Sequence, residues 1–361
     1  VGAVDDFRIA ALRQKLIDAQ VDAIWIHAPV NRSYMSGFSG SVGEVVISAT
    51  DQWLFVDGRY VVQAQEQCTP QWSIRAHQGD VWQAMRDVLS PHAVVGFEAE
   101  HVSVAAYEAW SAACVQGKSV PLYRTVETLR EKKDDVELVC IRHAVAIADE
   151  ALAYAIGRIA VGVRACDVAW DIEQCMRTLG ASGTAFDTIV ASGVRSALPH
   201  GIAGTQRIEA GSFVVIDCGA RVAHYVSDVT RTVFVGAGAT SEHRKMYDIV
   251  REAQERVIDA LRPGITGRDA DAIARETMHR YGVASEFVHG TGHALGRDVH
   301  ERPMLNARET LVLDVGHIVT VEPGLYRPGF GGVRIEDIVR ITDDGCEVLT
   351  KAPKQWTVVG E

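Results

Sequence analysis

Apolar positions in the first third of the chain switch between two periods. Ile9, Leu12 and Leu16 recur at helical spacing, and Ala23-Ile24-Trp25-Ile26 follows as an unbroken apolar run, which predicts a helix and then a buried strand. Glu44–Ser48 and Trp53–Val56 predict a strand pair joined through residues 49–52. Helical spacing over Val61–Gln67, Val81–Leu89 and Ala105–Ala113 alternates with strand runs at Ser73–Ala76 and Ala93–Phe97, an α/β pattern. The mixed run Glu131-Lys132-Lys133-Asp134-Asp135 reads as a solvated helix start and a boundary. The expectation is an N-terminal α/β domain over residues 1–130 and a second, α+β domain over 131–361.

Beyond the boundary, Val136–Ile156 and Cys166–Leu179 predict two helices, and Thr184–Ser192 a strand that runs into Leu198-Pro199-His200-Gly201. Phe213–Ile216 and Val229–Val235 predict a hairpin with Gly219 in its connection. One long helix should run from a Ser241 cap to Pro263-Gly264, and another from about Asp269 to Tyr281. Two more strands are expected at His317–Glu322 and Val333–Thr342. Helices and hairpin thus occur twice, as in two versions of one supersecondary unit facing each other.

The length of 361 residues suffices for two domains, and the net charge of -11 argues against nucleic acid or anionic membrane as partner. No apolar run is long enough to cross a bilayer, and the N-terminus has no basic-then-apolar signal pattern; Val1 as first residue reads as a processed start or a scar of expression cloning. Seven scattered cysteines without a CxxC pair suit a reducing cytoplasm rather than a disulfide or zinc scaffold. Cys218, next to Asp217, should point to the opposite strand face and pack in the core. SGFSGS at 36–41 lacks a phosphate-loop pattern and reads as a turn.

The chemistry gathers in five residues: Asp217, Asp228, His293, Glu322 and Glu336. A lone carboxylate is ordinarily a surface residue. These four lie within or at the ends of the apolar runs VVID, VSDVTRTVFV, IVTVE and VRIEDIVRI, where a bare charge is costly. Four carboxylates and an imidazole suit two divalent cations, manganese or cobalt before a thiolate-type zinc site. Two dications about 3.5–4 Å apart balance four anions, lower the pKa of a bridging water and polarise a carbonyl. HGTGHALGRDVHERP carries His289, His293 and His300 among glycines and is not an HExxH helix. The histidines at 27, 77, 92, 101, 143, 243 and 279 lie in ordinary contexts, and His224 and His317 border the carboxylate strands as packing residues.

IDCGARVAHYVSDVTRT, HGTGHALGRDVHE, VEPGLY and VRIEDIV resemble the pita-bread metallopeptidases, the group of methionine aminopeptidase, aminopeptidase P and prolidase. The resemblance covers the chain from about Glu131 onward. GFSGS and FVDGRY make the first domain similar to the N-terminal domain of the proline-directed branch. It implies two divalent metal ions, most often Mn, with Asp217 and Asp228 on one, Asp228 and Glu336 bridging, and His293 and Glu322 completing the second. Glu322 is then also the general base. His200, His289 and His300 are implied as non-ligand catalytic histidines, and Tyr326 and Arg334 as substrate-binding residues. The implied reaction is hydrolysis of the N-terminal Xaa-Pro bond by a hydroxide bridging the two ions, in a protein that is often a homodimer.

Within that branch, prolidases commonly bind a dipeptide's carboxylate through an arginine following VHExP. Here VHERPM has Met304, with its arginine at Arg302, which favours an open pocket and an Xaa-Pro aminopeptidase; the alternative is an Xaa-Pro dipeptidase. Creatinase shares the fold without the five ligands. Non-catalytic pita-bread binding modules form a further class, and these typically lose ligands.

Overall fold

A computed structural model describes residues 6–114 and 117–360, so Val1 and the Cys114 side chain lie outside it. The chain divides into two compact units, Val1–Arg130 and Glu131–Glu361. In the first, six strands line up in the order Ser73–His77, Gln52–Asp57, Glu44–Ser48, Ala23–Ile26, Val94–Glu98, Lys118–Leu122. Ala23–Ile26 is buried throughout because alternate side chains enter two cores: Ile24 and Ile26 pack with Leu12, Leu16 and Met35, while Ala23 and Trp25 pack with Met85, Leu89 and Trp110. The helix Pro29–Ser36 has no apolar period to announce it, since it buries Asn31, Arg32 and Ser33. Arg32 explains this in part: its guanidinium donates to the Gly40 and Gly43 carbonyls and fixes the SGFSGS turn.

The second unit contains the expected two helix-on-sheet layers. One sheet orders Val358–Val359, Val229–Val235, Ser212–Cys218 and Ile189–Ser192, covered by the helices Asp135–Ile156 and Ala165–Thr178. The other orders Glu301–Leu305, Gly292–Ala294, Ile318–Val321, Asp337–Ile341 and Cys346–Val348, covered by Ser241–Ala260 and Gly267–Arg280. Cys218 is buried in the first of these cores. A buried guanidinium crosses between the layers: Arg231 donates to the carbonyls of Glu336 and Pro353 and pairs with Asp337.

Several local expectations change. The strand expected over 184–192 breaks into Gly183–Thr184 and Ile189–Ser192, which frees Phe186 and Asp187 for a cavity wall. The strand expected over 333–342 breaks at Ile335-Glu336, and its first part, Gly331–Arg334, pairs with Gly324–Arg327 instead. The long helix is capped by Thr240, not Ser241, because the Thr240 side chain accepts from the His243 backbone N–H and the His243 ring answers it. Lys133 is not solvated: its ammonium is buried against Glu301, at 2.9 Å.

His317 anchors the start of the strand that leads to Glu322. Its Nδ1 accepts from the Asp314 backbone N–H at 3.0 Å, a bond only the neutral ring can accept. Burial, helped by Lys133 and Lys132, pushes its pKa down to about 4. Because the unfolded chain then binds the extra proton, stability is complete above the ordinary histidine pKa of 6.5 and declines as pH falls through that value toward about 4. The loss should approach about 3 kcal/mol. Urea midpoints from pH 7.5 to 4 should fall more steeply for the wild type than for His317→Asn, whose amide oxygen can replace Nδ1; parallel curves would exclude His317 as the titrating group.

Candidate dinuclear metal centre

Backbone pairing brings the five residues together. In the hairpin, Thr230 stands opposite Asp217, and Asp228 precedes Val229, the partner of Cys218. His293 lies on Gly292–Ala294, not in an irregular loop, opposite Met304. The Glu322 N–H donates to the Thr291 carbonyl, and the Glu336 N–H to the Thr230 carbonyl, so the two carboxylate strands of the second sheet are tied to His293 and to the hairpin. Gly292 permits the first tie, since a Cβ there would stand 2.0 Å from the Thr320 carbonyl oxygen.

The side chains converge on a cavity of about 530 Å³. All five line it, together with His200, His289, His300 and Arg334, and with an apolar wall of Phe186, Ile189, Ile202, Val299 and Met304. Donor atoms of Asp228, His293 and Glu336 fall within 4.8 Å of one another. His293 Nε2 is 3.1 Å from Glu322 Oε1 and 3.7 Å from Asp228 Oδ2. Its Nδ1 is 3.2 Å from the Ala294 carbonyl, a contact that keeps a proton on Nδ1 and turns Nε2 toward the carboxylates.

The electrostatics show what such a cluster lacks. Burial drives the Asp228 and Glu336 carboxyls well above their ordinary range, and neighbouring carboxylates drive them further. Asp217 is also raised by burial, although Arg334 at 2.7 Å opposes the rise. Burial works against the charge of Glu322 too, but the hydrogen bond and charge of His293 prevail and hold it down at about 2. One imidazole and one guanidinium cannot neutralise three buried acids and the partly buried Glu322. Asp217 Oδ1 and Glu336 Oε1 are buried with no hydrogen-bond partner, which is the fit that divalent cations in an oxygen-rich site require.

Behind this surface runs a hydrogen-bonded chain. Arg334 donates from Nη2 to Asp217, from Nη1 to the Pro199 carbonyl and Tyr326 hydroxyl, and from Nε to Thr230 Oγ1. Tyr326 Oη is 2.9 Å from His289 Nε2, and His289 Nδ1 is 2.7 Å from the Gly290 carbonyl. Tyr326 therefore lies outside the cavity lining, and its hydroxyl is taken up in holding Arg334 and His289. His300 stacks edge-on against His293, with centroids 4.4 Å apart, and burial lowers its pKa. Arg302 turns to Glu309, 3.6 Å away, and is outside the lining, whereas Met304 is in it. Sequence reasoning passed over Thr230 and Thr320, whose hydroxyls touch Glu336 and Glu322, because a threonine in a strand is unremarkable by pattern.

Comparison with known proteins gives these residues a context. The profile of metallopeptidase family M24 matches residues 139–343, and that of the Creatinase/Prolidase N-terminal domain matches residues 8–132. The chain is 37% identical to an Xaa-Pro dipeptidase of Pyrococcus furiosus over 96% of this chain and 99% of that one. A solved Xaa-Pro dipeptidase from Bacillus anthracis superposes with a TM-score of 0.95 at 39% identity, covering 98% of this chain and 99% of the other. An X-Pro aminopeptidase from Thermotoga maritima does so at 0.90 and 35%, covering 97% and 99%. With two domain profiles in sequence and relatives matched end to end, the chain belongs to metallopeptidase family M24, with a pita-bread catalytic domain behind a creatinase/prolidase-type N-terminal domain.

Proposed function

We propose that the protein is an Xaa-Pro aminopeptidase, hydrolysing the bond between the first residue of a peptide and a following proline. The observation that carries the reading is the convergence of Asp217, Asp228, His293, Glu322 and Glu336 on one cavity, with buried carboxylate oxygens left unpartnered. Asp217 and Asp228 would hold one divalent ion and His293 and Glu322 the other, with Asp228 and Glu336 shared. Bound there, the ions would supply Lewis acidity toward the carbonyl and a water acidic enough to ionise near neutral pH. We take manganese as the ion because the donors are mostly oxygen, with cobalt or zinc as substitutes. The resemblance supports a homodimer, and the free cysteines suit a reducing cytoplasm.

The chain's own groups complete the chemistry. Glu322, ionised at neutral pH, accepts the proton of the attacking water and returns it to the leaving nitrogen. An Xaa-Pro nitrogen is tertiary and carries no N–H, so the site does not need the amide donor that other peptide bonds offer. His300 and His200 face the cavity and are assigned to the carbonyl oxygen and to proton transfer; His289, held by Tyr326, orients the substrate. The apolar wall of Phe186, Ile189, Ile202 and Val299 suits a proline ring and the residue before it.

The aminopeptidase assignment rests on which guanidinium groups line the cavity. Among the described lining residues the one guanidinium is Arg334, already bound to Asp217 and Tyr326, and Met304 offers no charge to a dipeptide's carboxylate. A second reading, Xaa-Pro dipeptidase, is favoured by the names of the Pyrococcus furiosus and Bacillus anthracis relatives. Steady-state kinetics on Xaa-Pro, Xaa-Pro-Xaa and Xaa-Pro-Xaa-Xaa with one defined metal separate the two. Comparable kcat/KM across the series is expected, and activity confined to the dipeptide would establish the second reading.

Asp228→Ala and Glu336→Ala should abolish activity and metal retention together, read by metal analysis after dialysis. An active, metal-loaded Asp228→Ala protein would overturn the shared-ligand assignment. His300→Ala should keep its metal and lose about 10²–10⁴ in kcat; loss of metal would place His300 among the ligands instead.

A further inference from the structure

Thr230 is fully buried, and its hydroxyl sits between two charged groups of the centre. Arg334 Nε donates to Oγ1 at 3.1 Å, and Oγ1 is 2.7 Å from Glu336 Oε2. A guanidinium only donates and a hydroxyl has a single proton, so that proton is directed to Glu336. Glu336 Oε2 is thereby held as an acceptor, while Oε1 of the same carboxylate stays buried and unpartnered. The arrangement recurs across the site. Thr320 Oγ1 accepts from the His293 backbone N–H at 3.1 Å, again a pure donor, and donates to Glu322 Oε1 at 3.2 Å.

We propose that Thr230 is a positioning residue for metal binding. Its hydroxyl, polarised by Arg334, presets the rotamer of Glu336 and keeps Oε1 aimed into the cavity as a ligand. The Arg334–Asp217 pair and Glu336 are then coupled through one oxygen, so two metal ligands from separate strands are oriented by one hydrogen-bonded unit. This inference rests on the dinuclear reading above. Removing a hydrogen-bond partner behind a metal ligand typically costs about 10–100-fold in affinity.

Thr230→Val keeps the β-branched shape and removes only the hydroxyl, whereas Thr230→Ser keeps the hydroxyl. Isothermal titration of the metal-depleted full chain with Mn²⁺ should show affinity weaker by about 10–100-fold for Thr230→Val and near that of wild type for Thr230→Ser. At saturating Mn²⁺, the KM of Thr230→Val for Xaa-Pro peptides should stay near that of wild type, since Thr230 is not among the residues that line the cavity. Unchanged Mn²⁺ affinity in Thr230→Val would overturn the proposal. So would a 10-fold or greater loss of Mn²⁺ affinity in Thr230→Ser relative to wild type, which would assign the effect to packing of the methyl group and can be read even if the valine variant does not fold. A wild-type chain that binds no Mn²⁺ would defeat the dinuclear reading itself, whereas wild-type binding with indifferent variants would defeat only the role of Thr230.

Discussion

Carboxylates repel one another and resist burial, and this chain gathers those of Asp217, Asp228, Glu322 and Glu336 at one cavity. Asp217, Asp228 and Glu336 are each less than one-tenth exposed. The local fold is built to sustain that conflict. Arg334 offsets part of the charge at Asp217, His293 holds Glu322 ionised, and two oxygens remain without any partner. A site that leaves buried anionic oxygens open while bonding their neighbours so fully needs cations to close its charge balance.

The scaffold around the acids meets a geometric demand as well as an electrical one. Five side chains in or beside five strands must arrive at one point, so the strands have to pack closely. Gly292 lets the His293 strand come against the Thr320 backbone, and Arg231 spans from the hairpin to the Glu336 carbonyl and Asp337. Thr230 and Thr320 hydrogen-bond the Glu336 and Glu322 carboxylates. Arg231, Thr230 and Thr320 are buried and hydrogen-bonded, which restricts the rotamers of the acids before any ligand arrives.

The layers and the acids were legible in the sequence because each depends on local pattern. Helical and strand periods marked the helix pairs and the carboxylate strands, and an acid at the end of an apolar run is conspicuous by its cost. What escaped the reading depends on contacts between distant residues. Pro29–Ser36 is helical although most of its buried residues are polar, because Arg32 finds carbonyls eight and eleven residues away. The breaks at 185–188 and at Ile335-Glu336 have no breaker residue. The first opens the cavity wall, and at the second the Glu336 N–H turns to the Thr230 carbonyl. Lys133 looked solvated among mixed charges, but its partner Glu301 is 168 residues away. Thr230 is anonymous in VSDVTRTVFV and acquires a role only when Glu336, 106 residues on, is placed beside it.

The family assignment and the electrostatics meet in a single quantity, the number of divalent cations the folded chain retains. Elemental analysis of wild-type protein, loaded with Mn²⁺ and dialysed against metal-free buffer, measures it directly. The account predicts close to two ions per chain, with a rise in thermal midpoint over the chelated form because the ions bind only the folded cluster. Protein that retains no stoichiometric metal and melts at the same temperature with or without it would contradict the account at its base.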